Sequence, residues 1–287
     1  MKRILLIVAI SILAQLVIAQ NKRALLIGIS DYQCINKYGG WNNIHGKNDI
    51  DLLSSTLKNI GVTVSYLYDR DATKTEILKA LNKLVSQCKT GDIIYLHFST
   101  HGQPFEDISG DENDGWDESI VPVDAQIEYI KGKYEGENHL IDDELHEYYT
   151  KIRKAIGING ILYVVIDACH AGTSYRGEDS LITRGTNIGF SKSGKIFCPS
   201  INKQSNFKIQ KQDKQGDICL IEACRSYQSN SEIKENGIYY GALSWYINES
   251  IKMHKIGCDF SWIYEVKKSM DKDPRLIRQN IVIESSK

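Results

Sequence analysis

The chain has 287 residues, of which 42% are hydrophobic, 25% are charged and only 4 are proline. These proportions exclude collagen-like, low-complexity and wholly disordered proteins. The formal net charge of −1 gives no basic excess of the kind that binds nucleic acid. We therefore expect a globular protein with a large buried core.

The first 19 residues have the pattern of a secretory signal peptide. Lys2 and Arg3 precede an apolar run at residues 4–14, and residues 17–19 form a small-residue cleavage site. An uncleaved N-terminal anchor is the alternative, although the apolar run is short for a membrane span. We expect a signal peptide at 1–19 and a mature chain, residues 20–287, that is secreted or periplasmic and leaves the membrane once the peptide is cleaved.

Apolar runs alternate with amphipathic stretches along the mature chain, which distinguishes buried strands from helices. In chain order, the predicted elements are a strand at 23–30, a helix at 49–60, a strand at 62–68, a helix at 73–85, a strand at 92–98, a helix at 142–156, strands at 161–166 and 217–222, helices at 239–253 and 261–270, and a strand at 280–283. This alternation predicts an α/β fold in which helices cover both faces of a mostly parallel six-stranded sheet.

Two of the predicted strands end in residues suited to thiol catalysis. The third strand runs into His101 and Gly102, and the fourth runs into Asp167 and Cys169. Ligands bind beyond the carboxyl ends of the strands in such sheets. An imidazole there can accept the thiol proton, and nearby backbone amides can hold an oxyanion. A buried structural cysteine is the alternative, because cysteine is common in protein cores.

The motifs around these strand ends resemble those of the metacaspases and their bacterial caspase-like relatives. His-Gly follows one strand, Asp-x-Cys-His-x-Gly follows the next, and Asp-x-x-Asp-Gly-x-Asp-Glu-x-x-x-Pro-x-Asp lies between them. The caspase signature has Gln two residues before the cysteine, whereas this chain has Asp167, as metacaspases do. The resemblance covers the chain from Arg23 to the last strand and implies a caspase-like fold with cysteine endopeptidase activity.

By this resemblance, Cys169 is the nucleophile and His101 is the general base. The amides of Gly102 and Cys169 would hold the oxyanion. The rival hypothesis is a catalytically inactive caspase-like module that binds or scaffolds other proteins. A metal-dependent hydrolase is a third class, but no His and carboxylate spacing in the sequence supports it.

The resemblance also implies a pocket, formed by Asp49, Ser99 and Asp167, for the residue before the scissile bond. Two carboxylates in one pocket bind guanidinium or ammonium groups by charge-assisted hydrogen bonds. We therefore expect protein or peptide substrates with Arg or Lys at this position. Capping of a helix is the alternative role for Asp49, and anchoring of a strand end is the alternative for Asp167.

The segment from residue 106 to 147 contains 15 acidic and 2 basic residues. A solvated acidic loop is the ordinary explanation for such a run, and the resemblance instead implies calcium ligands at Asp117, Asp142 and Asp143. The family's fourth ligand position is Arg176 in this chain, and arginine offers no acceptor atom. Asp142 and Asp143 would also suit a helix N-terminus without a metal. We expect no required cofactor and at most weak calcium binding.

Residues 176–216 contain 8 basic and 3 acidic residues and show no helical or strand periodicity. This composition predicts a mobile surface loop. The same region of the family often carries self-cleavage sites, so we expect either self-processing or a passive insertion here.

The seven cysteines form no Cys-x-x-Cys pair. Because their number is odd, at least one of them has no internal disulfide partner. A zinc ribbon and a thioredoxin motif are not indicated. We expect the protein to be a monomer.

Overall fold

The computed structural model describes residues 20–35, 39–110, 112, 114–169, 182–254, 256–257 and 259–287. The predicted signal peptide, Arg176 and Cys258 lie outside these residues. Within them, no helix has both the length and the apolar character that a membrane span requires.

Strands and helices alternate along most of the chain. In chain order they are β1 (Lys22–Gly28), α1 (Gly46–Asn59), β2 (Thr63–Tyr68), α2 (Lys74–Gln87), β3 (Ile93–Ser99), β4 (His101–Glu106), β5 (Trp116–Val121), β6 (Leu140–Ile141), α3 (Asp142–Ile156), β7 (Ile161–Asp167), β8 (Asn206–Lys208), β9 (Asp217–Glu222), β10 (Glu232–Glu235), β11 (Ile238–Gly241), α4 (Ala242–His254), α5 (Ser261–Met270) and β12 (Val282–Ser285).

A seven-stranded sheet forms the centre of the fold, in the order β2-β1-β3-β7-β9-β12-β8. The neighbouring pairs β2-β1, β1-β3, β3-β7 and β7-β9 are parallel, whereas β12 runs antiparallel to β9. The six predicted strands correspond to β1, β2, β3, β7, β9 and β12. The prediction of six strands misses β8, which has only three residues, is mostly exposed and lies at the edge of the sheet. No apolar run marks such a strand.

Helices cover both faces of this sheet, as the sequence predicts. One hydrophobic core contains residues from α2 and α3, and a second contains residues from α1, α4 and α5. Successive residues of a strand point to opposite faces. Accordingly, Leu25 and Ile27 of β1 belong to the first core, while Ala24 and Leu26 belong to the second.

The acidic segment differs from the expected solvated loop, because β4, β5 and β6 form a separate antiparallel sheet. Polar side chains fill part of its buried side. His139 Nε2 lies 2.8 Å from Gln103 Oε1, and both side chains are buried. Buried polar residues that satisfy each other in this way leave no apolar alternation in the sequence.

Candidate active site

The carboxyl ends of β3 and β7 place the predicted catalytic residues at one edge of the sheet. The two strands are parallel neighbours, and Ser99 at the end of β3 pairs with Asp167 at the end of β7. His101 lies two residues beyond Ser99, and Cys169 lies two residues beyond Asp167. The topology therefore positions both chemical groups where ligands bind in open α/β sheets.

His101 is buried with a defined arrangement of its two ring nitrogens. Its Nε2 atom lies 2.8 Å from the carbonyl oxygen of Asn42, so Nε2 must carry the proton and donate it. The Nδ1 atom is buried and has no hydrogen-bond partner among the described residues. Stacking of the ring on Trp41 fixes its plane. Burial lowers the pKa of His101 to about 4, which keeps the ring neutral and able to accept a proton at pH 7.

Cys169 is completely buried at this edge. Its sulfur donates a hydrogen bond to the carbonyl oxygen of Gln228 at 2.8 Å, and it lies 3.4 Å from the sulfur of Cys224. Its backbone forms a parallel bridge with Gly185, a residue from the segment that follows the cysteine.

The three predicted pocket residues surround the side chain of Arg184. Its Nη1 atom donates to Asp49 Oδ2 and to Ser99 Oγ, both at 2.7 Å. Asp167 Oδ2 lies 3.6 Å from the same nitrogen. None of the side chains of Arg184, Asp49 and Asp167 is exposed to solvent. The structure thus brings Asp49, Ser99 and Asp167 together around a guanidinium group.

Asp49 does not cap a helix, since the N-cap of α1 is His45 and Asp49 lies within the first turn. Its Oδ1 atom instead accepts a hydrogen bond from the amide of Gly241 at 3.0 Å. Burial raises the pKa of Asp49 to about 7, although the guanidinium of Arg184 opposes this rise. The protonation of the pocket is therefore sensitive to pH near neutrality.

Asp167 does anchor its strand end, and it faces the pocket as well. Its Oδ1 atom accepts from Asn230 Nδ2 at 2.7 Å. Its Oδ2 atom accepts from the backbone amide of Ser244 at 2.8 Å and from the Ser244 hydroxyl at 2.6 Å. These bonds hold the carboxylate in one orientation beside Arg184.

Glu232 is a third acid of the pocket that sequence reasoning missed. Its Oε1 atom accepts from Arg184 Nη2 at 2.9 Å and from Arg184 Nε at 3.1 Å. Burial alone would raise its pKa, but Arg184 and His45 outweigh burial and the net effect lowers it. Glu232 begins the short strand β10, in a region with no predicted element, so no pattern in the sequence pointed to it.

Residues 182–185 lie against the site and are held there by isolated backbone bridges. The amide of Arg184 donates to the carbonyl oxygen of Asn230 at 3.0 Å, and the amide of Glu232 donates to the carbonyl oxygen of Ile182 at 2.9 Å. At Gly185 the backbone has a φ of 148°, and a Cβ atom there would lie 1.8 Å from the carbonyl oxygen of Cys169. Only glycine allows this approach. Peptides that bind by strand addition use the same kind of main-chain bonds.

Of the surface loop expected at 176–216, residues 176–181 lie outside the described residues, most of 191–214 is exposed as expected, and a few side chains are buried. Besides Arg184, the segment buries Phe190, which stacks on Phe105 of β4 with ring centroids 5.0 Å apart. It also contributes β8 to the central sheet. Single buried side chains cannot be predicted from the sequence, because they form no periodic pattern.

The predicted calcium ligands do not come together as a set. Within the described part of the chain, no group of three or more His, Cys, Asp or Glu residues has the arrangement needed for a metal ion. Asp142 and Asp143 line a cavity with Glu118 and not with Asp117, because adjacent residues of a strand point to opposite faces. Burial, with nearby Glu118 and Asp143, raises the pKa of Asp142 to about 7. Asp117 is not among the residues that line this cavity, and Arg176 lies outside the described residues.

The fold and the strand-end histidine and cysteine are those of a caspase-like protein. The family model of the caspase domain matches residues 21–270, and the chain belongs to this family of cysteine peptidases. It is metacaspase-like, as its motifs indicate. It is 34% identical over 268 residues to Metacaspase-1 of Eremothecium gossypii, and 26% identical over 262 residues to Metacaspase-1 of Kluyveromyces lactis. Each alignment covers 78% of this chain, but only 56% and 57% of the relatives, so the chain spans little more than half their length.

Two solved structures confirm the caspase-like fold. A crystal structure of a protein from Geobacter sulfurreducens matches with a TM-score of 0.62 at 21% identity, covering 93% of each chain. The crystal structure of Caspase-1 from Spodoptera frugiperda matches with a TM-score of 0.52 at 14% identity, covering 92% of this chain and 85% of the other.

Proposed function

We propose that this protein is a cysteine endopeptidase that cleaves after arginine or lysine, with Cys169 as nucleophile and His101 as general base. The observation that carries the proposal is the buried guanidinium of Arg184 between Asp49 and Asp167. A pocket that holds an arginine of its own chain has the shape and charge to hold one from a substrate.

The arrangement of His101 supports a direct role in the reaction. Its Nε2–H is held by Asn42, so the free lone pair of Nδ1 is the one that accepts the thiol proton. The thiolate of Cys169 then attacks the carbonyl carbon after the basic residue, and the amides of Gly102 and Cys169 hold the oxyanion. The imidazolium protonates the leaving amine, and water hydrolyses the thioester.

We further propose that the chain processes itself at the Arg184–Gly185 bond. Arg184 fills the pocket, and the next residue, Gly185, pairs with the backbone of the nucleophile Cys169. An external substrate must compete with this segment in the intact chain. Cleavage would let Arg184 leave and free the pocket for other substrates.

Glu232 supports a preference for arginine over lysine. It accepts the Nε–H and one Nη2–H of Arg184, two donors that an ammonium group does not offer in that geometry. Lysine would leave part of this buried carboxylate without a partner.

Peptide reporters that differ only in the residue before the scissile bond test the proposed specificity. We expect the purified protein to cleave the arginine reporter fastest, the lysine reporter more slowly and the aspartate reporter not at all. The Cys169→Ala variant, matched in purity and folding, should cleave none. Cleavage after aspartate would contradict the pocket assignment, and equal turnover by Cys169→Ala would contradict the mechanism. The rival inactive module predicts no turnover of any reporter.

We also propose that the protein is exported, on the basis of the signal-peptide pattern at residues 1–19. Sequencing of the N-terminus after expression in a secreting host tests this. A mature protein that begins at Gln20 supports export, and one that retains Lys2 and Arg3 contradicts it.

A further inference from the structure

A second cysteine lies in contact with the proposed nucleophile. The sulfurs of Cys169 and Cys224 are 3.4 Å apart, and both residues are buried. Both thiols point toward the carbonyl oxygen of Gln228, at 2.8 Å from Cys169 and 3.4 Å from Cys224. The two side chains therefore lie next to each other, and both are reduced thiols.

We propose that Cys169 and Cys224 form a reversible disulfide that switches the peptidase off under oxidation. The proposal rests on the proposed function in one respect, namely that Cys169 is the nucleophile. Formation of the disulfide itself does not depend on it.

The fold permits this bond with little movement. Cys169 and Cys224 follow the ends of the parallel neighbours β7 and β9, and the amide of Ala223 still donates to the carbonyl oxygen of Ile166 at 3.0 Å. In the register of β7 and β9, Ile166 pairs with Glu222, so Cys169 and Cys224 are offset by one residue, and the sulfur separation of 3.4 Å shows how close they lie. The sulfurs need to approach by roughly 1.4 Å to reach the bond length of about 2.0 Å.

The environments of the two thiols assign them different roles. The hydrogen bond with Cys169 and burial raise the pKa of Cys224 well above its ordinary value, so Cys224 remains a thiol at neutral pH. Cys169 is the sulfur that the proposed base His101 would deprotonate. A reactive cysteine next to a second cysteine that can resolve its sulfenic acid is the pairing found in redox-sensitive proteins.

A hydroperoxide supplies the oxidising equivalents. The Cys169 thiolate attacks one peroxide oxygen, the O–O bond breaks, and hydroxide leaves and takes up a proton to become water. The sulfur of Cys224 then attacks the resulting sulfenic acid, the S–O bond breaks, and its thiol proton leaves with the hydroxyl group as water. In sum, two thiols and hydrogen peroxide give one disulfide and two waters.

Peptide mapping after oxidation tests the proposal without reference to peptidase activity. The full chain is treated with hydrogen peroxide, the remaining thiols are alkylated, and cross-linked peptides are identified by mass spectrometry. We expect a Cys169–Cys224 cross-link that dithiothreitol removes. The Cys219→Ala variant is the matched control, because Cys219 is equally buried in β9 but five residues earlier, and it should form the same cross-link.

The Cys224→Ala and Cys224→Ser variants should both respond to peroxide differently from the wild type. Without the resolving thiol, we expect Cys169 to proceed to sulfinic or sulfonic acid, which dithiothreitol does not reverse. On reporters, peroxide-treated wild type should recover at least about tenfold more of its starting activity than either variant on reduction. Oxidation of wild-type Cys169 to sulfinic acid without a cross-link would overturn the proposal. If the protein cleaves no reporter, the mapping result still decides whether the disulfide forms, so the two proposals fail separately.

Discussion

Arg184 Nη1 lies 2.7 Å from Asp49 Oδ2, although the two residues are 135 positions apart in the chain. Both side chains are fully buried. Burying a guanidinium is costly unless carboxylates and hydrogen bonds compensate for the lost water, and Arg184 has both from Asp49, Ser99 and Glu232. When Arg184 leaves, the pocket retains acids that need a cation. This requirement makes a basic substrate residue the natural replacement.

If Cys169 and His101 are the nucleophile and its base, the two residues should act as one catalytic unit. Replacing Cys169 by Ala or His101 by Ala should each lower kcat/KM on an arginine reporter by about 10³-fold or more. The double variant should be scarcely slower than either single variant, because each change already removes the thiolate. Steady-state kinetics on the three variants checks this, and losses that simply multiply would argue against a shared mechanism.

Glu232 should determine how strongly arginine is preferred to lysine. Glu232→Gln removes the charge that faces the far side of the guanidinium, and we expect a loss of about 2 kcal/mol, or roughly 30-fold in kcat/KM, on arginine reporters. The loss on lysine reporters should be smaller. Glu235→Gln is a matched control three residues further on, since Glu235 contacts Arg275 at the surface. An equal loss on both reporters would remove Glu232 from the specificity mechanism.

Substrate binding should weaken as the pH falls toward about 7. Burial raises the pKa of Asp49 to about 7, so below that pH its carboxyl group becomes neutral and loses its attraction for a guanidinium. Burial lowers the pKa of His101 to about 4, so the base stays neutral over the same range. The value for Asp49 holds with a guanidinium in the pocket, and without one the pKa lies higher, so we expect the KM for arginine reporters to rise as the pH falls toward about 7, more than kcat falls. The Asp49→Asn variant should have a high KM that does not change with pH, and a flat KM in the wild type would contradict this account.

Activity should persist in the presence of a chelator. Among the described residues, no group of three or more His, Cys, Asp or Glu side chains is arranged to hold a metal ion, and the sequence has Arg176 at the position where the resemblance implies a fourth ligand. Any response to calcium should appear only near the millimolar range, about 10⁻³ M. A calcium titration of wild type and of Arg176→Asp measures this. A wild type that is inactive in chelator and saturates at micromolar calcium would show that the family's metal requirement survives the substitution.

The sequence predicted the parts of the molecule that depend on local pattern. Buried apolar runs located the six main strands, and the carboxyl-end rule for parallel sheets located His101 and Cys169 at one edge. The helix predicted at residues 142–156 has the same bounds in the structure. These elements follow from burial that repeats with a regular period.

The rest of the site depends on contacts that no local pattern encodes. Arg184 and Glu232 are single residues from segments without periodicity, and their roles appear only when the chain brings them to Asp49. The sheet of β4, β5 and β6 was missed for a related reason. Gln103 of β4 and His139, which directly precedes β6, are buried and satisfy each other by a hydrogen bond, and such residues resemble surface residues in a sequence.

The most direct test of the substrate-like position of Arg184 is the N-terminal sequence of the fragments that the purified chain produces on standing. We expect the wild type to release a fragment that begins at Gly185. Cys169→Ala and Arg184→Gln should not release it, while Lys192→Gln, which changes the next basic residue of the same segment, should still do so. A wild type that cuts only at other bonds, or a Cys169→Ala variant that yields the same Gly185 fragment, would contradict the account.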